Sequence, residues 1–206
     1  MAQGIALRTG ARQTPRSKPE WYMRVSMRLT LAFAAISVPL LAIAAASLPE
    51  SIAGVYKTRF KNGLVTGETY QSEDVLEIVP TGRDAAYVRA HLDFYNGHQC
   101  GIYGIAHLAG RELVYREPAA KKIGDRQCVL HLGARGDKVV LSDEGGSCEA
   151  YCGARGSLSN DSFPISTRRT IRYMARLKAS QEYKAALAED AANGPPGPAG
   201  PPPHRR

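Results

Sequence analysis

From Ala86 to Tyr95 apolar and polar side chains alternate without a break. Ala86, Val88, Ala90, Leu92 and Phe94 fall on one side, and Tyr87, Arg89, His91, Asp93 and Tyr95 on the other. A helix cannot sort such a run, whereas an extended strand sends successive side chains to opposite faces. The segment therefore predicts a strand with one buried face. Asn96-Gly97 follows directly, a dipeptide suited to a two-residue turn whose central residues both take positive φ. Gln99 to Leu108 then returns as the antiparallel partner. One buried face and a tight return restrict this stretch to an antiparallel sheet covering a core.

The same rhythm continues on both sides. Gly54 to Phe60, Val75 to Val79, Glu112 to Arg116, Gln127 to Leu132, Lys138 to Leu141 and Cys148 to Leu158 read as short strands. Asn62-Gly63, Pro80-Thr81-Gly82, Ala109-Gly110 and Glu144-Gly145-Gly146 supply turns between them. Seven or eight strands at this spacing predict a mainly β domain over residues 47–165, a small antiparallel meander closed as a barrel or sandwich. Gly-Ala-Arg-Gly occurs at 133–136 and again at 153–156. Two tandem hairpins would produce that repeat, and so would reuse of a good turn sequence.

Beyond the sheet, Ser166-Thr167 can cap an amphipathic helix over 166–192. Ile171, Met174, Leu177, Ala185 and Ala188 would form the face docked on the β domain, with Arg168, Arg169, Arg172 and Arg176 opposite. Residues 193–206 are rich in Pro and Gly and read as a disordered tail, with too few Gly-X-Y triplets for a triple helix.

Residues 1–46 read as a leader. Leu29 to Ala46 carries no charge, follows Arg24 and Arg28, and ends in small residues before Ser47. These are the parts of a secretory signal peptide, with cleavage expected after Ala46 and a start at Met23 or Met27 giving a more usual length. The alternative is a retained inner-membrane anchor facing the periplasm, for which the alanine-rich run is short and interrupted by Pro39. The leader also accounts for most of the net charge of +8. Six of the 27 basic residues but only Glu20 among the 19 acids lie in it, leaving 21 basic and 18 acidic groups beyond. So balanced a remainder argues against a nucleic-acid partner.

All four cysteines, Cys100, Cys128, Cys148 and Cys152, follow the leader, as expected of two disulfides in an exported protein. In a meander the strands beginning near Cys100, Cys128 and Cys148 run the same way, which gathers the cysteines at one end. Same-direction strands stand roughly 9.6 Å apart, too far for a bridge between strand centres. Loops bending across the end, or barrel curvature, must supply the pairing. Bridges from the 148–152 segment back to the Cys100 and Cys128 strands are favoured, with the partners open.

A two-residue turn at Asn96-Gly97 would set Tyr95 opposite His98, Asp93 opposite Cys100 and His91 opposite Ile102. His91, Asp93, His98 and Cys100 would then share a face and offer metal-ligand chemistry, the alternative to a solvated polar face beside a disulfide. No cofactor is expected. No nucleophile elbow, phosphate loop or dinucleotide fingerprint appears, and the acids are scattered, so a non-enzymatic protein is expected.

The segment Cys148-Glu-Ala-Tyr-Cys152-Gly-Ala-Arg155-Gly-Ser-Leu158 resembles a Cys-x-x-x-Cys-Gly-x-Arg element of uncharacterised exported proteobacterial β proteins. Some of those are similar to periplasmic lysozyme inhibitors. The resemblance spans about a dozen residues and implies that Tyr151 and Arg155 sit on a disulfide-braced loop able to enter a partner's cleft. Tyr95 and His98 are the further binding candidates. The expectation is therefore an exported, periplasmic, non-catalytic binding module for a protein or cell-envelope component. A metal-binding or thiol-active protein and an anchored structural protein are the alternatives, and contact with a membrane is expected only if the leader is retained. The oligomeric state is left open by the sequence.

Overall fold

The computed structural model describes residues 47–194. The leader, the choice between cleavage and anchor, and the tail from 195 onward lie outside the described residues. A short helix α1 (Leu48–Ser51) precedes eight strands: β1 (Gly54–Gly63), β2 (Thr69–Pro80), β3 (Ala85–Asp93), β4 (Gln99–Ala109), β5 (Glu112–Arg116), β6 (Val129–Arg135), β7 (Lys138–Asp143) and β8 (Ser162–Pro164). Neighbours in sequence are neighbours in the sheet, and every pairing is antiparallel. The result is the mainly β meander the alternation predicts, curled into a nearly closed barrel. Its seam is made by side chains and by the chain beyond β8. Tyr56 of β1 meets Phe163 of β8 edge-on, ring centroids 6.3 Å apart. Val55 and Arg169 exchange two backbone hydrogen bonds, both 2.9 Å.

Period-two sorting fills the interior. Ala86, Val88, Ala90 and Leu92 of β3 join Leu76 and Ile78 of β2 and Leu130 and Leu132 of β6 in the buried core. Each leucine or isoleucine so buried is worth about 2 kcal/mol against exposure. The opposite face is not simply solvated. Val55, Val79, Tyr87 and Ile105 form a second apolar layer outside the barrel, covered by Ile171, Leu177, Tyr183 and Ala186. The Tyr87 and Tyr183 rings meet at 4.8 Å between centroids.

The covering segment differs from the single helix expected over 166–192. A 3-10 turn at Ile165–Thr167 is followed by the backbone pairing of Arg169, then by α2 (Met174–Ala179) and α3 (Gln181–Asn193). A backbone committed to β1 at Arg169 cannot continue a helix from Ser166. Ser180 then leaves the helical region for extended backbone (φ −65°, ψ 156°) and caps α3, its hydroxyl accepting from Tyr183 N at 3.2 Å. The break resets the phase, so Tyr183 and Ala186 face the barrel while Ala188 is exposed.

Cys148 to Leu158, expected as the last strand, is instead one 3-10 turn (Glu149–Tyr151) and an open loop, with β8 only three residues long beyond it. The bridges explain this. An extended strand would set positions 148 and 152 about 13 Å apart, an overshoot for partners on β4 and at the start of β6. A tight turn shortens that reach. The two Gly-Ala-Arg-Gly segments also differ: the first ends β6 and turns into β7, with Gly136 at φ +61°, and the second lies in the open loop. Tandem hairpins therefore do not account for the repeat.

Candidate functional site

Both disulfides lie at one end of the barrel. Cys100, at the start of β4, is bridged to Cys152, and Cys128, just before β6, to Cys148. The loop after β7 bends across the end and is tied to two strands at once. Buried carboxylates hold the same loop. Asp143, 7% exposed, accepts from Cys148 N at 3.0 Å and from the Ser159 hydroxyl. Glu117, 1% exposed, accepts from Cys128 N (2.9 Å), Ile123 N (3.2 Å) and the Tyr151 hydroxyl (2.7 Å). Sequence reasoning passed over both acids, since an isolated Glu or Asp beside a strand carries no pattern.

Tyr151 is consequently a strut. Burial, and the hydrogen bond to Glu117, push its hydroxyl pKa well up. Of the other three binding candidates, the structure brings Arg155 onto Tyr95 and sets His98 against the same loop. Arg155 lies over the Tyr95 ring, guanidinium carbon 5.6 Å from the centroid. His98 packs on Gly153, where an added Cβ would come 2.8 Å from its Nδ1. Gly156 is required by a closer approach still: a Cβ there would sit 2.7 Å from the Cys100 sulfur. A side chain at 156 would therefore push the loop off the bridge.

Tyr95 is placed by a third loop. Its hydroxyl donates to Leu64 O at 3.0 Å, Asn96 Oδ1 accepts from Val65 N at 3.3 Å, and Gly97 N donates to the Tyr70 hydroxyl at 3.0 Å. The β1–β2 and β3–β4 connections thus support one another. Beside them Val65 is 65% and Tyr95 45% exposed. Val65, Tyr95 and Arg155 form an aromatic, aliphatic and cationic rim on loops whose positions are fixed by hydrogen bonds and a disulfide.

The β3–β4 register corrects the proposed metal face. Asn96 and Gly97 do take positive φ, +63° and +72°. Tyr95, however, is an additional residue in the connection, so Asp93 pairs with Gln99, Leu92 with Cys100 and His91 with Gly101. That one-residue slip exchanges faces. Cys100 points into the core with Leu92 and is used in a bridge, away from His91 and Asp93. The Asp93 carboxylate is occupied by Gln99 Nε2 (2.8 Å), by Glu73 N (3.3 Å) and by His91 at 3.4 Å. Among the described residues no cluster of three ligating side chains is placed to hold a metal ion.

Inside the same end lies one more acidic pair. Asp74 belongs to the inward-facing set of β2 with Leu76, and its Oδ1 accepts from Asp93 N at 2.8 Å. Asp161, just before β8, is pushed up to about 6 by burial and by the neighbouring Asp74 charge.

Two disulfides and no free cysteine among the described residues fit an oxidising, non-cytoplasmic compartment. Among these residues no helix is long and apolar enough to cross a membrane. No protein-family model, curated protein or solved structure matches the chain.

Proposed function

We propose that this chain is an exported, periplasmic, non-catalytic binding module that grips a protein partner with the disulfide-braced loop end. The observation that carries the reading is the Arg155–Tyr95 stack beside exposed Val65. Tyrosine and arginine are the residue types that dominate binding energy at protein interfaces, and preset loops lower the entropy lost on association. The carboxylates of Asp143, Glu117, Asp93 and Asp74 at this end are spent on backbone N–H groups of loops and strands, which supports recognition over catalysis. The likeness of the 148–158 segment to lysozyme-inhibitor-like proteins makes a lysozyme the first partner to try.

The test is inhibition of lysozyme-catalysed peptidoglycan lysis by the oxidised protein, beside co-sedimentation with purified sacculi as the envelope alternative. Tyr95→Ala and Arg155→Ala are each expected to weaken the productive interaction about thirtyfold, a hot-spot loss of about 2 kcal/mol, with an unchanged circular dichroism spectrum. Binding that persists in the double variant would remove the loop end from the reading. Failure of the wild type in both assays would remove both partner classes.

A further inference from the structure

A cleft of about 640 Å³ opens on the outer wall of the barrel, between strands β1–β4 and the α2–α3 cover. Its floor comes from strand register. Lys57, Val75, His91 and Gly101 form one outward cross-strand row, and Val55, Glu77, Arg89 and Tyr103 form the next. The helices cover the second row and stop short of the first. Gly101 keeps the floor low, since a Cβ added there would meet nothing within 4 Å. Tyr173 closes one side, and Arg176 of α2 lies over its ring with the guanidinium carbon 5.3 Å from the centroid.

The charges around this floor are unevenly spent: Lys57 is paired with Glu73, and Glu182 of α3 adds one carboxylate to a lining that also holds Arg89 and Arg176. Glu77 is fully buried, accepting from Arg89 Nε at 2.6 Å and from the Tyr173 hydroxyl. Among the described residues that contact uses only Nε of Arg89, leaving the two terminal nitrogens without a protein acceptor. Arg176 likewise pairs with no carboxylate among the described residues. A guanidinium anchored at Nε with its outer nitrogens open is preorganised for a planar oxyanion. The cleft's volume lies in the range of small-molecule sites, and Val75 with the tyrosine faces not taken by Lys121 (4.0 Å over Tyr103) and Arg176 (5.3 Å over Tyr173) offers an apolar surface to a flat body.

We infer that this outer-wall cleft is a small-molecule site for an organic carboxylate with a flat apolar body, its head group held by Arg89 and Arg176. The site is separate from the loop-end surface and does not rest on the protein-partner reading.

The probe is 2-naphthoate, with neutral 2-naphthamide as the matched control, titrated into the oxidised protein and followed by amide chemical shifts. The expected result is saturable movement of the Val75, His91, Gly101 and Arg176 amides. Naphthoate is expected to bind about tenfold more tightly than the amide, the worth of a charge-assisted contact. Arg176→Gln should erase that preference, and Gly101→Leu, at an exposed position with room for a side chain, should block both probes by filling the floor. Absence of saturable shifts in the wild type would overturn the site. Equal affinity for the two probes, or binding unchanged in Gly101→Leu, would overturn the assignment of its head-group residues or its floor.

Discussion

The loop end and the helix-covered wall of this barrel are held by different means. At the loop end, two disulfides and the buried carboxylates of Asp143 and Glu117 fix a segment that has almost no regular structure. On the wall, two regular helices rest on an apolar layer around Tyr87 and on side-chain contacts such as His107–Asp190 at 2.6 Å and Lys121–Glu189 at 3.2 Å. Irregular backbone here carries the covalent ties, whereas the regular helices are held by non-covalent contacts alone. The difference places a preset recognition surface at one and an open-sided cleft at the other.

Three measurements would sharpen or break that contrast. The largest effect is expected from the double variant Cys100→Ser, Cys152→Ser. The bridge spans a sequence separation of 52, and freeing a loop of that length costs about 4 kcal/mol in the chain-entropy description. Urea denaturation should show that loss. A fall far smaller would mean that hydrogen bonds alone brace the loop.

A smaller and more local effect is expected on the wall. Leu177 is 3% exposed in the outer layer, and Leu177→Ala should cost about 3 kcal/mol. Hydrogen exchange should quicken in α2 and α3 while interior amides of β3 and β4 keep their protection. Equal loosening of barrel and helices would show that the two layers form one cooperative unit.

The smallest effect exposes a weak point within the braced end. Asp161 has a folded pKa raised to about 6 from 3.8. A raised acid favours the protonated folded state, so its contribution is fully present below the unfolded pKa and is lost as pH climbs through 6. Between pH 4 and pH 7 the wild type should lose about 2 kcal/mol relative to Asp161→Asn. Denaturation midpoints of the two proteins that run parallel across this range would show that neither burial nor the Asp74 charge raises Asp161 in the folded protein.

Much of the strand content was legible because alternation and turn dipeptides are local signals. Ala86, Val88, Ala90 and Leu92 face the core as their spacing requires, and Asn96-Gly97 turns with positive φ. The face partnership of His91, Asp93 and Cys100 was not legible. It depends on one residue of register, and that residue, Tyr95, is held by Leu64 O on another hairpin. The cleft was hidden for a similar reason: Glu77, Arg89 and Tyr173 are scattered in sequence and meet only through strand pairing and the return of the chain after β8.

By itself the sequence determined an antiparallel meander with one apolar face, because a two-residue period can be satisfied only by a strand over a core. It also determined that the cysteines gather at one end, since alternate strands of a meander share a direction. Tertiary structure alone decided which cysteines join, where the C-terminal helix breaks, and which outward residues become buried. Those outcomes follow from contacts between segments far apart in the chain, where a hydrogen bond or a covering helix outweighs local preference.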